Sequence, residues 1–323
     1  MKTLSLLFTV IICCSLSSSI SAKSWRVSNV DPTADFSSLD EAMTGISAGD
    51  VLYLEGSPTA YTLNSIITKK VTIIGPGYFL TQNPNTLVNK SIAHINSTIK
   101  IRAAGVILEG LTIINSNSVN SVVIGEDNVI IRRCYLEGIL FSDENSNSTP
   151  LQINNTVITQ NYITHRMTND NLDYAYNAVV TNNIFVTQST SYISYLRRSI
   201  IENNTIRSSV SVVSNSDCSI KNNILNTNVS VGSNPNSTIS NNYMYKISDF
   251  ITSSSADGEW QLLPESPGMT AGTNGSQCGA FGGASPYVLS GLASIPHIYE
   301  IDAPTAASET SGLNVTIKIG SEK

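Results

Sequence analysis

A short pattern of apolar and polar positions recurs through the middle of the chain. Each copy has a short apolar strand, two polar residues, a central position and a second apolar strand. The middle residues of the first strands are Leu108, Ile131, Ile158, Val180, Ile201, Ile220 and Ile239. These anchors are separated by 23, 27, 22, 21, 19 and 19 residues. No helical period of 3.6 residues runs through them, so the pattern predicts β-strands that return roughly every twenty residues.

A repeat of this length, built from β-branched strands, is typical of a β-solenoid. Each turn of such a coil contributes one strand to each of several parallel sheets. Equivalent residues then stack about 4.8 Å apart. Because parallel crossover connections are right-handed, the sequence predicts an all-β protein that folds as a right-handed parallel β-helix.

Asparagine is concentrated in the same region, where 21 of the 33 asparagines lie between Asn145 and Asn242. Five of them share one offset, three residues after the anchor: Asn161, Asn183, Asn204, Asn223 and Asn242. Amides that stack at a corner between sheets can bond to one another, so these residues predict an internal asparagine ladder. The asparagines just before them are expected on the exposed side of the corner: Asn182, Asn203, Asn222 and Asn241. The alternative is that asparagine-rich loops connect ordinary strands.

The two ends of the chain depart from the repeat. Four apolar residues fall on one helical face near the start: Phe36, Leu39, Met43 and Ile46. They predict a short helix that caps the open end of the solenoid. Residues 313–319 near the other end alternate apolar and polar. We therefore expect a β-helix with its cap over 23–283, and a tail over 284–323 that packs on the solenoid and ends in a strand.

The first 22 residues have the features of a secretory signal. Lys2 is followed by an apolar run from Leu4 to Cys14 and by small residues up to Ala22. The run is too short to span a bilayer comfortably. We expect cleavage near Ala22, a secreted protein at the periplasm or cell surface, and no membrane span. A retained anchor helix is the alternative.

Composition narrows the possible functions. Only 13% of the residues are charged and the net charge is −6, which argues against a nucleic-acid binder because such proteins need clustered lysine and arginine. No Walker loop, dinucleotide fingerprint or paired zinc motif occurs, so we expect no cofactor and no metal. Asp143 and Glu144 offer the one hint of a Ca²⁺ site. The three cysteines outside the leader are widely spaced, which favours buried thiols over a disulfide.

One group of residues suits a sugar, because aromatic rings can stack on it while charged groups hold its hydroxyls or uronates. The candidate substrate-binding residues are His165, Arg166, Asp170, Asp173, Tyr174, Tyr176, Tyr192, Tyr195, Arg197 and Arg198. The alternative is that these are loop residues whose tyrosines pack on their own coil. Charged residues after the anchors, such as Glu109 and Arg132, alternate in sign and indicate solvated cross-strand pairs.

The ends also carry a resemblance to a known family. Residues 35–42 (DFSSLDEA), 48–53 (AGDVLY) and 68–78 (TKKVTIIGPGY) resemble the cap and first coils of the pectin-lyase-like superfamily of right-handed parallel β-helix proteins. Residues 266–283 (SPGMTAGTNGSQCGAFGG) are similar to the last coil of secreted bacterial members, especially those of Bacteroidota. The resemblance covers nearly all of 25–283. It implies the fold, while the superfamily includes lyases, hydrolases, esterases and non-catalytic members.

The catalytic motifs of that superfamily are missing. The sequence has no Asp-Asp pair, no Gly-His, no Arg-Ile-Lys and no Arg-x-x-Pro-x-x-Arg motif. The catalytic residues are therefore unknown. We expect a non-catalytic, monomeric protein that presents an elongated surface to carbohydrate. The alternative is a polysaccharide lyase or glycoside hydrolase that acts on an acidic polysaccharide.

Overall fold

The computed structural model describes residues 22–115, 117–142, 152–169, 174–186, 191–207, 210–225, 233–306 and 312–321. Within them, one strand from each successive coil joins a long parallel sheet, sheet 1. Its ten strands are Ser24–Val27, Val51–Leu54, Thr72–Ile74, Ile107–Glu109, Ile130–Arg132, Val157–Thr159, Val179–Thr181, Ile200–Glu202, Ser219–Lys221 and Thr238–Ser240. This arrangement is a parallel β-helix, so the predicted fold class is confirmed.

Three further parallel sheets complete the coils. Sheet 2 consists of His94–Ile95, Thr112–Ile113, Tyr135–Leu136, Tyr162–Ile163, Ile184–Phe185, Thr205–Ile206, Ile224–Leu225 and Tyr243–Met244. Sheet 3 consists of Ile99–Ile101, Val122–Ile124, Ile139–Phe141, Met167–Asn169, Ser191–Ser194 and Val210–Val213. Sheet 4 consists of Gln152–Asn154, Tyr174–Tyr176 and Leu196–Arg197. No described helix is long and apolar enough to cross a membrane.

The anchors predicted from the repeat pair with one another in register. Leu108 lies opposite Ile131, which lies opposite Ile158, and the same row continues through Val180 to Ile239. Apart from Ile239 in the last coil, these side chains are fully buried. They form one column of a continuous aliphatic core inside the coil. The period read from the sequence therefore fixes the register of sheet 1.

The predicted capping helix spans Leu39–Gly45 and covers the first coil. Ser38 caps its start by accepting the Glu41 N–H at 3.2 Å, and Glu41 accepts the Ser37 N–H at 2.9 Å. Lys69 holds its end, since Nζ lies 2.9 Å from the carbonyl of Ile46 and 3.0 Å from that of Met43. These bonds satisfy groups that a short helix would otherwise leave unpaired.

A ladder of amides lines the turn from sheet 1 to sheet 2. Nδ2 lies 3.0 Å from the Oδ1 of the next member at each of four steps: Asn161 to Asn183, Asn183 to Asn204, Asn204 to Asn223, and Asn223 to Asn242. Each accepting Oδ1 also takes the backbone N–H of the preceding asparagine at 2.9–3.0 Å. The Nδ2 of each ladder asparagine also donates to the backbone carbonyl of the anchor one coil earlier, at 2.8–2.9 Å, as Asn161 does to Ile131. The corner thus replaces missing sheet bonds with side-chain bonds.

A second, shorter ladder lies between sheets 3 and 4. Asn215 Nδ2 donates to Asn234 Oδ1 at 3.1 Å, and the two amides also donate to the carbonyls of Ile193 and Val212. These two residues lie outside the offset that defines the first ladder, so that offset does not separate them from the surrounding asparagines. Their spacing of 19 residues, which equals the spacing of the neighbouring anchors, is the signal that identifies them.

The residues just before the first ladder have left-handed backbone conformations. Their φ angles lie between 52° and 58° in Arg133, Gln160, Asn182, Asn203, Asn222 and Asn241. Asparagine tolerates this conformation better than most residues. These six residues are here called the left-handed row. The prediction that the asparagines of this row are exposed is wrong for most of them. Asn182 and Asn222 are 3% and 8% exposed, Asn203 is half-buried, and Asn241 alone among the four is exposed.

The covering element is the stretch 272–294, here called the return segment, which runs back along the corner toward the first coils. Backbone groups of this segment form hydrogen bonds with side chains of the left-handed row, in reverse chain order. The pairs are Thr273 with Asn222, Ala280 and Gly282 with Asn182, Pro286 with Gln160, and Leu292 with Arg133. Repeat periodicity carries no information about this segment, because the segment lies outside the repeat. That is why the sequence places these asparagines in solvent.

The return segment also buries Glu109. The cross-strand pair with Arg132 exists, with Nη2 and Oε2 2.6 Å apart, but Glu109 is only 2% exposed and so is not solvated as expected. The Ser294 N–H and hydroxyl donate to its other oxygen at 2.8 and 2.9 Å. This buried carboxylate ties the return segment to sheet 1.

Beyond the return segment the chain forms a two-stranded antiparallel hairpin. His297–Asp302 pairs with Thr316–Gly320, with a bulge between Ile298 and Glu300. The tail therefore ends in a strand, as predicted, whereas its partner strand His297–Asp302 was not predicted from the sequence. Most side chains of the hairpin are exposed, whereas Leu292 and Ala293 just before it are buried.

Candidate functional site

Sheet 4 carries a cluster of aromatic and basic side chains on its outer face. Tyr174 and Tyr176 flank the buried Ala175 on one strand, and the next strand places Arg197 opposite Tyr176. Tyr195 and Arg198 adjoin that strand with positive φ angles of 63° and 50°, at the two ends where the chain turns. Tyr174, Tyr176, Tyr195, Arg197 and Arg198 are here called the tyrosine–arginine patch.

The rings and guanidinium groups of the patch contact one another. The Tyr174 ring centroid lies 6.3 Å from that of Tyr176 and 6.2 Å from that of Tyr195, both edge to face. The Arg197 guanidinium lies 3.8 Å over the Tyr174 ring, and that of Arg198 lies 5.8 Å from the Tyr176 ring. The stacking orders the cations without neutralising them.

No described carboxylate pairs with either arginine of the patch. Nε of Arg197 is buried and has no hydrogen-bond partner among the described atoms. Tyr195 is 37% exposed, and Tyr174, Tyr176 and Arg197 are half-buried. The patch therefore offers guanidinium donors and partly open ring faces to a ligand, and its five side chains carry two positive charges in a chain of net charge −6.

Other predicted site residues are not shown to join this cluster. His165 and Arg166 lie on the corner between sheets 2 and 3, before the strand Met167–Asn169, where the His165 N–H donates to the carbonyl of Glu137. Asp170 and Asp173 lie outside the described residues, as do Asp143 and Glu144. The backbone of Tyr192 is described but its side chain is not.

A cavity without a signal in the sequence lies beside the return segment. It measures about 620 Å³ and is lined by Asn85, Gln261, Phe281 and Val288 among others. Loop 83–86 and the segment from 281 to 292 form its walls. Because the walls come from distant parts of the chain and share no local motif, spacing in the sequence carries no signal for it.

A buried hydrogen-bond network lies beside this cavity. Asp257, which is fully buried, accepts Asn83 Nδ2 at 2.8 Å, the Ser290 N–H at 2.6 Å and the Tyr287 hydroxyl at 3.4 Å. The Tyr287 and Tyr78 hydroxyls lie 2.5 Å apart. Burial raises the pKa of both tyrosines well above the ordinary value, so both stay protonated at neutral pH. The network holds the return segment in place.

The described cysteines and metal-ligating side chains form no reactive centre. The thiols of Cys134, Cys218 and Cys278 are free and buried, which confirms that they form no disulfide. Burial raises the pKa of Cys134 to about 12 and that of Cys278 to about 11, so neither is a thiolate at neutral pH. No described group of three or more His, Cys, Asp and Glu side chains could hold a metal ion. The groups at the tyrosine–arginine patch suit binding: the guanidinium groups can bind an anion, and the tyrosine rings can stack on a flat apolar face of a ligand.

Comparisons with known proteins do not assign the chain to a family. No family model matches the chain, and no curated protein matches it. Among solved structures, the crystal structure of pectate lyase Pel9A is similar at a TM-score of 0.33 with 10% identity. That match covers 81% of this chain and 97% of the lyase. A score this low transfers nothing from the enzyme, and the parallel β-helix follows here from the strand pairing itself.

Proposed function

We propose that the protein is a carbohydrate-binding β-helix whose tyrosine–arginine patch holds an acidic polysaccharide. The observation that carries this proposal is the Arg197 guanidinium, which is stacked 3.8 Å over Tyr174 and has no described carboxylate partner. A guanidinium can form two parallel hydrogen bonds to a uronate carboxylate, and a tyrosine ring can stack on the apolar face of the sugar. The regular rise of the coils suits a polymer better than a small ligand.

Binding should separate into an electrostatic and a stacking part. The arginine contribution should weaken as salt screens the ion pair, because the site is at the surface. The tyrosine contribution should persist in salt. We therefore expect stronger binding to polygalacturonate than to a neutral glucan, and a preference that narrows at high ionic strength.

The test compares polysaccharide affinity, by calorimetry, of the wild type, an Arg197→Gln, Arg198→Gln double variant and a control. Arg207→Gln is the matched control, since Arg207 lies 5.6 Å from the ring centroid of Trp260 and belongs to another face. The double variant should lose at least about tenfold in affinity for polygalacturonate, or roughly 1.4 kcal/mol. Unchanged binding in the double variant, or an equal loss in Arg207→Gln, would remove the patch from the site. Product absorbance at the unsaturated uronate band, measured on the same mixtures, would instead reveal a lyase.

We also propose that the chain is secreted and is a member of the pectin-lyase-like superfamily of the Bacteroidota type. The support is the leader sequence, whose first 21 residues lie outside the described part, together with the sequence resemblance at both ends of the coil. Mass spectrometry of the protein recovered from the producing cell would detect cleavage near Ala22. An intact leader would contradict secretion by this route.

A further inference from the structure

The C-terminal hairpin has one apolar face that nothing in the described structure covers. Ile298 pairs with Ile319, and Ile301 pairs with Ile317, so the bulge between Ile298 and Glu300 keeps all four side chains on one face. They are 39%, 64%, 50% and 50% exposed, respectively. The opposite face carries the ion pair of Lys318 and Glu300 at 2.8 Å. The hairpin is therefore amphipathic, and its apolar face points into solvent.

The apolar surface of the hairpin is large. Leu313 and Val315 are also about half exposed just before the second strand. The six aliphatic side chains together expose on the order of 500 Å², near the upper end of what a soluble monomer leaves uncovered. A two-stranded hairpin is marginally stable by itself in water, so this one needs further packing.

The apolar surface continues onto the solenoid. A cavity of about 360 Å³ extends from Ile298 across Pro296, Ile295, Val88 and Pro76. The Val88 N–H donates to the carbonyl of Ile298 at 3.1 Å, which joins this cavity to the base of the hairpin. Most of the residues that line the cavity are aliphatic, with Asn89 and His297 as the polar members, and none is a Lys, Arg, Asp or Glu. The apolar face of the hairpin and this cavity thus form one mostly aliphatic surface.

We infer that this surface is a dimer interface, with the apolar hairpin faces of two copies of the chain packed against each other. A face of paired isoleucines is complementary to itself, as a two-fold symmetric interface requires. Two such faces would bury about 1,000 Å² in total, the lower limit for a specific interface, before any contribution from the adjoining cavity. The apolar face carries no charged side chain, so it offers no charge complementarity that would select a different protein as the partner. Two stacked hairpins would form a small β-sandwich. This inference departs from the monomer that the sequence favours.

The experiment measures the mass of the purified protein by sedimentation velocity from low to tens-of-micromolar concentration. The wild type should be dimeric in the upper part of this range, and dimerisation should persist or strengthen at high salt because the interface is apolar. An Ile317→Lys, Ile319→Lys double variant should weaken the dimer by at least about 100-fold. Thr316→Lys is the control: it adds one lysine to the same strand on the opposite face and should leave the dimer intact.

Circular dichroism and thermal unfolding check that both variants keep the solenoid, which the exposed hairpin should not affect. A wild type that stays monomeric throughout the range would overturn the inference. So would a double variant that dimerises as well as Thr316→Lys does. Association of monomeric wild type with neutral lipid vesicles, abolished by the double substitution, would likewise reject self-association and assign the face to a lipid surface.

Discussion

The asparagine ladder gives the sharpest test of what holds the coils together. Replacing Asn204 by alanine removes the central member of the ladder. Its Oδ1 accepts both the backbone N–H and the Nδ2 of Asn183, each at 3.0 Å. Its own Nδ2, which carries two hydrogens, lies within hydrogen-bond distance of the carbonyls of Val180 and Glu202 and of Asn223 Oδ1. Asn204 is fully buried, so water does not replace these partners without a change in packing.

The bonds are not equally costly to lose. Asn183 Nδ2 keeps its bond to the Ile158 carbonyl, and Asn223 Oδ1 keeps the Asn204 backbone N–H. The Asn183 N–H loses its acceptor, Asn204 Oδ1, and has no other acceptor among the described residues. One orphaned buried donor costs about 1–3 kcal/mol, and the loss of the remaining side-chain bonds adds to this cost. We therefore expect Asn204→Ala to lower the free energy of unfolding by more than about 2 kcal/mol.

Urea unfolding followed by circular dichroism measures this loss as a shift of the transition midpoint. Asn203→Gly is the control, because glycine keeps the left-handed conformation that Asn203 adopts at φ 53°. The substitution removes a side chain whose oxygen has no hydrogen-bond partner among the described residues. It should change stability by less than about 1 kcal/mol. Equal midpoint shifts for the two variants would show that the ladder bonds contribute no more than ordinary corner residues.

Two further predictions concern the return segment and the first coil. Asn182→Gly keeps the left-handed backbone conformation, as Asn203→Gly does, but it also loses the side-chain bonds to the carbonyls of Ala280 and Gly282 at 2.9 and 2.7 Å. It should therefore lower the free energy of unfolding by about 1–3 kcal/mol more than Asn203→Gly does. Proteolysis should also cut residues 272–294 faster in this variant. Burial by itself would raise the pKa of Asp50, but bonds from the Lys23 and Ser47 N–H groups and the Trp25 indole outweigh it, so the pKa is lowered. A carboxyl group whose pKa is lowered by folding stabilises the fold at pH values above its pKa in the unfolded chain, near 4, and this stabilisation is lost as the pH falls. The difference in thermal unfolding temperature between the wild type and Asp50→Asn should therefore shrink from pH 7 to pH 3. A difference that stays constant over this range would contradict this account.

The sequence predicts the coil because the coil is periodic. The anchors Leu108 to Ile239 must all point inward, so a fixed spacing of apolar residues determines both the sheet and its register. The ladder follows from the same logic, since a corner that recurs demands the same amide in each coil. Even the capping helix has a local signal, with Ser38 three residues before Glu41.

The parts that the sequence does not predict are those whose contacts are distant in the chain and occur once. Glu109 looks like a surface residue in its own coil and is buried by Ser294, which lies 185 residues away. Asp257 and Asn83 meet across 174 residues. The tyrosine–arginine patch could be anticipated, because its residues lie on adjacent strands of one sheet. The cavity beside Phe281 could not.

The return segment changes how the solenoid distributes its stability. In a simple solenoid each coil contacts only its neighbours, so the ends can unravel independently. Here one segment bonds Asn222 near the last coil, Gln160 in the middle and Glu109 near the first. Opening any covered coil therefore strains contacts along the whole corner, which favours unfolding in one cooperative step over stepwise fraying. The left-handed row has two roles in this arrangement: its backbone turns the chain between sheets, and its side chains bind the segment that closes the structure.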